Sequence, residues 1–282
     1  MRNQPLYILT EDLNFFYIIK SELDKYKIHF KILDLDSKIP KIPSIILTTS
    51  SDYKNLRYKN GINYLIYAKN TDFGTYFLHV IAAVRIEYKK NYSTLTFSID
   101  PGKKLGLMIF LDDYYLHSYC CFEKSDFFAI IQKYIDTFEE DNPALIKLNF
   151  KLGLGVLDIT YDLVKQIYIL FQNRKCLRVC LIDEFKSSQF RFSNNSIGKK
   201  FTKDEISALI LAFRLGFEIR FDNYENIFEQ IRMKKKVLRK TEIKKSENHG
   251  EILLSLKDVV EEVLNGELTL SKAIDLINPN ST

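Results

Sequence analysis

Tryptophan is absent from this 282-residue chain, and cysteine and histidine occur only four times each. Four cysteines over this length exclude the disulfide framework of a small secreted domain. The histidines stand at 29, 79, 117 and 249, with no zinc-finger spacing to any cysteine and no nucleophile context for a Ser-His-Asp arrangement. Cys120-Cys121 and Cys176-x-x-x-Cys180 fall in strand-like segments and read as ordinary core thiols. No apolar stretch reaches the roughly 18–20 residues of a membrane span, and M-R-N-Q-P-L-Y lacks the long apolar run of a secretory signal. Long repeats and low-complexity linkers are lacking as well. These absences lead to the expectation of a protein of a reducing cytoplasm, with no membrane partner.

What is present is apolar and aromatic. Hydrophobic residues make up 46% of the chain, with 21 Phe and 17 Tyr, so its cores are built of Phe, Tyr, Ile and Leu. The length suits two modest domains with a tail. The formal charge of +5 is mild, and its distribution matters more than its size.

Along residues 1–92, short apolar runs alternate with amphipathic segments. Leu6–Leu9, His29–Leu35, Ser44–Thr49 and Tyr64–Tyr67 read as strands, and Leu13–Tyr26 and Thr75–Glu87 as helices. That alternation predicts a small parallel α/β, Rossmann-like domain. Its first strand ends in Glu11-Asp12, which is similar to receiver domains, but T-T-S-S after the third strand offers no phosphoacceptor Asp. Glu11 and Asp12 are therefore expected to be helix-N-terminal acids.

Residues 93–221 form the second unit. Leu95–Ile99 and Leu105–Leu111 flank a Pro-Gly turn as a hairpin, and Tyr114–Phe122 supplies a third strand. Helix Asp126–Phe138, strand Ala144–Phe150, helix Leu157–Gln172, strand Leu177–Ile182 and helix Lys203–Phe217 follow. The order is βββαβαβα, an α/β fold with a mixed sheet. Residues 222–282 form a basic helical extension. Its run from Arg232 to Lys245 carries eight basic residues against one Glu, and two short helices follow at Ile252–Leu264 and Leu270–Ile277, as a small interaction module or an extra cap on the core.

Within 97–110, F-S-I-D-P-G-K-K-L-G-L-M-I-F, an acid closes an apolar strand, and a charge there calls for a partner. Two later stretches match it in kind: L-I-D-E-F-K-S-S at 181–188 and K-D-E-I-S-A-L-I-L-A at 203–212. With the element order, these three stretches resemble the ribonuclease H-like superfamily, and most closely its branch of RuvC-type Holliday-junction resolvases and YqgF-type proteins, over residues 95–220. The resemblance implies a metal-dependent nuclease acting on structured or single-stranded nucleic acid. It implies Mg²⁺ or Mn²⁺ held by Asp100, Asp183, Glu184 and Asp204, with Asp100, Glu184 and Asp204 catalytic. DNA or RNA is the implied partner, and a homodimer stays open.

This chain departs from the resolvase pattern. The fourth strand offers Lys147 and Asn149 where a Glu is expected, Ser207 stands in place of a second Asp, and Phe185 replaces an Arg. A binding protein on a decayed fold of the same kind is therefore the alternative. Local readings also stand beside the functional ones. Asp100 suits a turn start, Asp204 a first-turn acid, and Asp183 and Glu184 a charged strand exit. Thr202 and Glu205 fit a capping box, which makes Glu205 structural.

Phe185–Lys203 holds no acid and interleaves Phe190, Phe192 and Phe201 with Lys186, Arg191, Lys199, Lys200 and Lys203. Cations beside aromatics suit phosphates and stacked bases. The expected nucleic-acid contacts are Lys103, Lys104, Arg191, Lys199, Lys200, Lys234, Lys235 and Lys236. Gly102 and Gly106 are expected to let a phosphate backbone come close.

Overall fold

A computed structural model describes residues 4–35, 42–56, 63–86, 91–139, 147–174, 176–183, 201–238 and 250–278, with the side chains of 235–238 and 250–255 left aside. Glu184, Arg191, Lys199 and Lys200 lie outside the described residues, as does most of the aromatic-basic stretch 185–203.

The first unit runs β1 (Leu6–Leu9), α1 (Leu13–Lys25), β2 (Lys31–Leu33), β3 (Ile45–Thr49), α2 (Ser50–Asn55), β4 (Asn63–Tyr67) and α3 (Phe73–Ile86). The strands pair in parallel in the order β2-β1-β3-β4. Asp12 is the N-cap of α1 and accepts from Phe15 N at 3.1 Å, the helix-N-terminal role expected of it. Beyond β3, Asp52 is buried in α2 and accepts from the hydroxyls of Thr10 and Thr49. It ties the ends of β1 and β3 together. The sequence reading had no helix there, because a six-residue helix carries too little periodicity to register.

The second unit runs β5 (Thr94–Asp100), β6 (Leu105–Leu111), β7 (Tyr114–Cys121), α4 (Lys124–Glu139), β8 (Lys147–Gly153), α5 (Leu157–Phe171), β9 (Leu177–Ile182), α6 (Lys203–Ala212), β10 (Phe217–Ile219) and α7 (Tyr224–Leu238). The expected βββαβαβα succession is present. Its six-stranded sheet has the order β10-β9-β8-β5-β6-β7: β5, β8 and β9 are parallel, while β6, β7 and β10 run antiparallel to their neighbours.

One expectation needs correcting. The last helix was extended to Phe217, but α6 stops at Ala212 and Phe217 opens β10. The chain must pass close to β9 to make that strand, and it does so at Gly216. A Cβ there would overlap the Ile182 side chain and come within 2.6 Å of the Leu181 carbonyl.

Strand alternation divides the core. On β5, Leu95, Phe97 and Ile99 face α4 and α5 in a large cluster that also holds Leu148, Phe150 and Leu152 of β8. That cluster is continuous from Leu6 to Phe228, so the two sheets share it through α3. Tyr26 and His117 make a hydrogen bond across the same junction, at 2.9 Å, and Arg85 donates to the Leu116 carbonyl at 2.8 Å. The opposite face of the six-stranded sheet is covered by α6 and by α8 (Gly250–Leu264) and α9 (Leu270–Ile277). Met108, Phe110, Leu209, Val260, Val263 and Leu270 meet there. The terminal helical pair is thus a cap on the core. No helix of the described residues is long and apolar enough to cross a membrane.

Candidate functional site

Asp100 is the last residue of β5. Alternation puts it with Thr96 and Ser98 on the face that carries α6, where the Ser98 hydroxyl donates to the Ala208 carbonyl at 2.7 Å. Its partner across the hairpin is Gly106, and the partner of Gly106 on β7 is Cys120. The three residues form a row across adjacent strands at the end of the sheet where the parallel strands terminate.

Gly106 is what lets α6 into this row. A Cβ at that position would overlap the backbone carbonyl of Asp204 and come within 3.1 Å of Glu205 N. The glycine was expected to admit a phosphate backbone; its open face is taken instead by the first turn of α6. Asp204 is thereby held above the strand that pairs with Asp100, and Cys120 Sγ–H donates to Asp204 Oδ2 at 3.6 Å. Burial, with the neighbouring Asp204 adding to it, pushes the Cys120 thiol above its ordinary value. It is held as a protonated donor.

The first turn of α6 is fixed by its own chemistry. Thr202 is the N-cap: its hydroxyl accepts from Glu205 N at 3.2 Å, and Glu205 Oε2 accepts from Thr202 N at 2.8 Å. This is the expected capping box. Glu205 is 2% exposed, and its other oxygen accepts from Ser118 at 2.7 Å. Its carboxylate is committed to structure, and Asp204 is the acid of this turn left at the edge.

At the other end of α6, Lys151 of β8 donates to the carbonyls of Ala212 and Arg214. An ammonium on the last carbonyls complements the negative helix end. Burial nevertheless pulls Lys151 down to about 8.

The remaining expected residues fall as follows. Asp183 follows β9 at the same sheet end, exposed, with its carbonyl accepting from Arg214 at 2.7 Å. Two strand spacings, roughly 10 Å, separate its strand from that of Asp100. Among the described residues, no three His, Cys, Asp or Glu side chains come together as a metal-binding group. What they share is one end of the sheet: Asp100 closes β5, and the first turn of α6 sits on its strand partner Gly106, with the Asp204 carboxylate against Cys120. On β8 the residue level with Asp100 is Gly153. Lys147 lies at the far end of the strand, and Asn149 donates to Thr96 at 3.3 Å.

Lys103 and Lys104 are exposed in the turn after Asp100, and the Lys104 ammonium lies 4.5 Å from the ring centroid of Phe122. Lys234 is exposed on α7, and Lys235 and Lys236 continue the same helix. Arg232 of this helix pairs with Asp158 in the first turn of α5, at 2.9 Å, and stacks on Tyr161. Because α5 begins just after β8 ends, that contact brings the basic half of α7 to the end of the sheet that holds Asp100.

Ser118 and Lys151 escaped the sequence reading, and Cys120, expected to be an ordinary core thiol, is half-buried against Asp204. Each sits at an even-spaced strand position facing α6, and only the register across strands shows which helix residue it meets. No protein-family model matches the chain, and no curated protein matches it.

Proposed function

We propose that this chain is a divalent-metal-dependent nuclease of the ribonuclease H-like kind, RuvC/YqgF-like, with Asp100 and Asp204 at its centre and Glu184 as the third acid. The observation that carries the reading is the seating of the Asp204 backbone on Gly106, the strand partner of Asp100. Two acids 104 residues apart in sequence are thereby brought to one end of one sheet. The topology supports it: a first strand in mid-sheet, a hairpin on one side, parallel strands on the other, and a helix crossing the face that carries the acid.

Paired carboxylates suit a hard cation such as Mg²⁺ or Mn²⁺. Such an ion supplies charge neutralisation at a phosphate and an acidified water. The chain's own contribution is orientation. The capping box and Ser118 fix the first turn of α6, and with it Asp204. Lys103 and Lys104 flank the acid pair as phosphate contacts. Lys199, Lys200 and Arg191 act with them, and Lys234, Lys235 and Lys236 extend the basic surface along α7. The substrate is DNA or RNA in a structured or single-stranded form.

One observation favours the second reading, nucleic-acid binding without cleavage: β8 presents Gly153, not a carboxylate, beside Asp100. The first test is Mn²⁺ binding followed by electron paramagnetic resonance. Wild type is expected to bind, with Asp100→Asn and Asp204→Asn each weaker by at least about tenfold. Equal Mn²⁺ binding by all three would remove the metal centre, and nucleic-acid binding that persists in chelator would then select the second reading.

A further inference from the structure

β7 pairs with β6 as far as Cys121, opposite Leu105, and the next residue is Phe122. This residue is 67% exposed and belongs to no core cluster of the described residues. A lone exposed phenylalanine needs no explanation, but this one has a particular setting. It continues the strand of Cys120, the residue that contacts Asp204, and it faces the turn that starts at Asp100. The Lys104 ammonium covers one side of its ring, at 4.5 Å from the centroid. An aromatic face and two cations thus stand at the sheet end that holds Asp100 and Asp204, roughly 10 Å from the strand of Asp100 by two strand spacings.

We infer that Phe122 is a base-stacking platform that selects nucleic acid with an unpaired base beside the phosphate at Asp100 and Asp204. This rests on the nucleic-acid reading above. The chemistry is that of single-strand recognition, in which a cation takes the phosphate and an aromatic ring takes the base. A base inside a duplex is stacked on its neighbours and has no face to offer the ring. Phe122 therefore discriminates by strandedness and is indifferent to sequence, and Lys104 is shared between the ring and the phosphate. Its role is positioning and specificity, since neither the acids nor their supports depend on it.

The experiment is fluorescence anisotropy with end-labelled oligonucleotides of one length: single-stranded DNA, single-stranded RNA, blunt duplex, and a single strand with abasic sites. Wild type, Phe122→Ala and Phe122→Tyr are compared in full-length protein. Phe122→Ala is expected to weaken binding of the single strands by about 5- to 150-fold, the range of one base stacked on an aromatic ring, and to leave the duplex unchanged. Phe122→Tyr is expected to restore single-strand binding, and the abasic strand to bind all three proteins alike. The DNA and RNA arms show which sugar the site takes. Equal losses for single strand and duplex, no loss in Phe122→Ala, or no rescue by Tyr would overturn the platform while leaving the acidic site standing. Failure of wild type to bind any of the oligonucleotides would bring down the nucleic-acid reading itself.

Discussion

At the scale of single residues, α6 is placed by one missing side chain at its start and held by one half-buried cation at its end. Gly106→Ala places a methyl group against the Asp204 carbonyl, which is backbone and cannot swing aside. The substitution is expected to cost about 1–3 kcal/mol, as overpacking does, read as a lower urea midpoint; an unchanged midpoint would mean that α6 does not rest on β6. Lys151 gives a pH signature. Its folded value, about 8, lies below the ordinary 10.5, so between those two pH values the unfolded chain holds more protons and this group's contribution to stability rises with pH. Wild type should therefore gain on Lys151→Met as pH is raised from 8 to 10.5, by up to about 3 kcal/mol. A stability difference that stays flat over that range would show a lysine that is not shielded from water. The glycine could be marked in the sequence as a point of close approach, but which chain approaches it could not. The Asp100–Gly106 register and the Asp204 contact are non-local, and no local pattern reports them.

At the scale of elements, α6 and α7 carry the functional case. The start of α6 was legible, because Thr202 and Glu205 form a capping box by local chemistry alone. Its end was not: the apolar residues continue through Phe213, and the helix stops because Gly216 lets the chain turn onto β9. Strands β6 and β9 and helix α9 match their expected bounds, since each is a strongly patterned segment between turn residues. The acid expected on the fourth strand is missing from the fold as from the sequence, and Gly153 stands at that level. Helix α7 is anchored by Phe228, which has no exposed surface, and by Arg232 on Asp158. Lys234 on the same helix is exposed. Replacing Lys234, Lys235 and Lys236 together by Ala is expected to lower the salt dependence of single-strand binding, the slope of log K against log salt falling by about 0.7 for each lysine in contact. A slope equal to that of wild type would assign the run to solvent alone.

At the scale of the whole molecule, the two sheets are joined by a core that holds several phenols and the thiol of Cys121, and this sets the alkaline limit of stability. Burial pushes Tyr119 up to about 12 and Cys121 up to about 11, and raises Tyr76, Tyr134 and Tyr168 as well. For groups raised on folding, the stabilising contribution is complete below the ordinary values, 9.0 for the thiol and 10.0 for the phenols, and is lost as pH rises above them. Thermal melts should therefore fall steeply above about pH 10, outweighing the opposite trend of Lys151. The α/β class and the element order were legible because periodicity is local; the shared core was not, because α3 faces both sheets and only packing reveals it. The central claim is that this molecule is built around Asp100 and Asp204 to act on phosphodiesters. The measurement that tests it most directly is cleavage of a panel of single strand, duplex, RNA–DNA hybrid and four-way junction in Mg²⁺ and in Mn²⁺, by wild type, Asp100→Asn and Asp204→Asn. The account predicts cutting by wild type that both variants lose while still binding the substrate. Cutting that survives both substitutions, or no cutting by any of the three proteins, would contradict it.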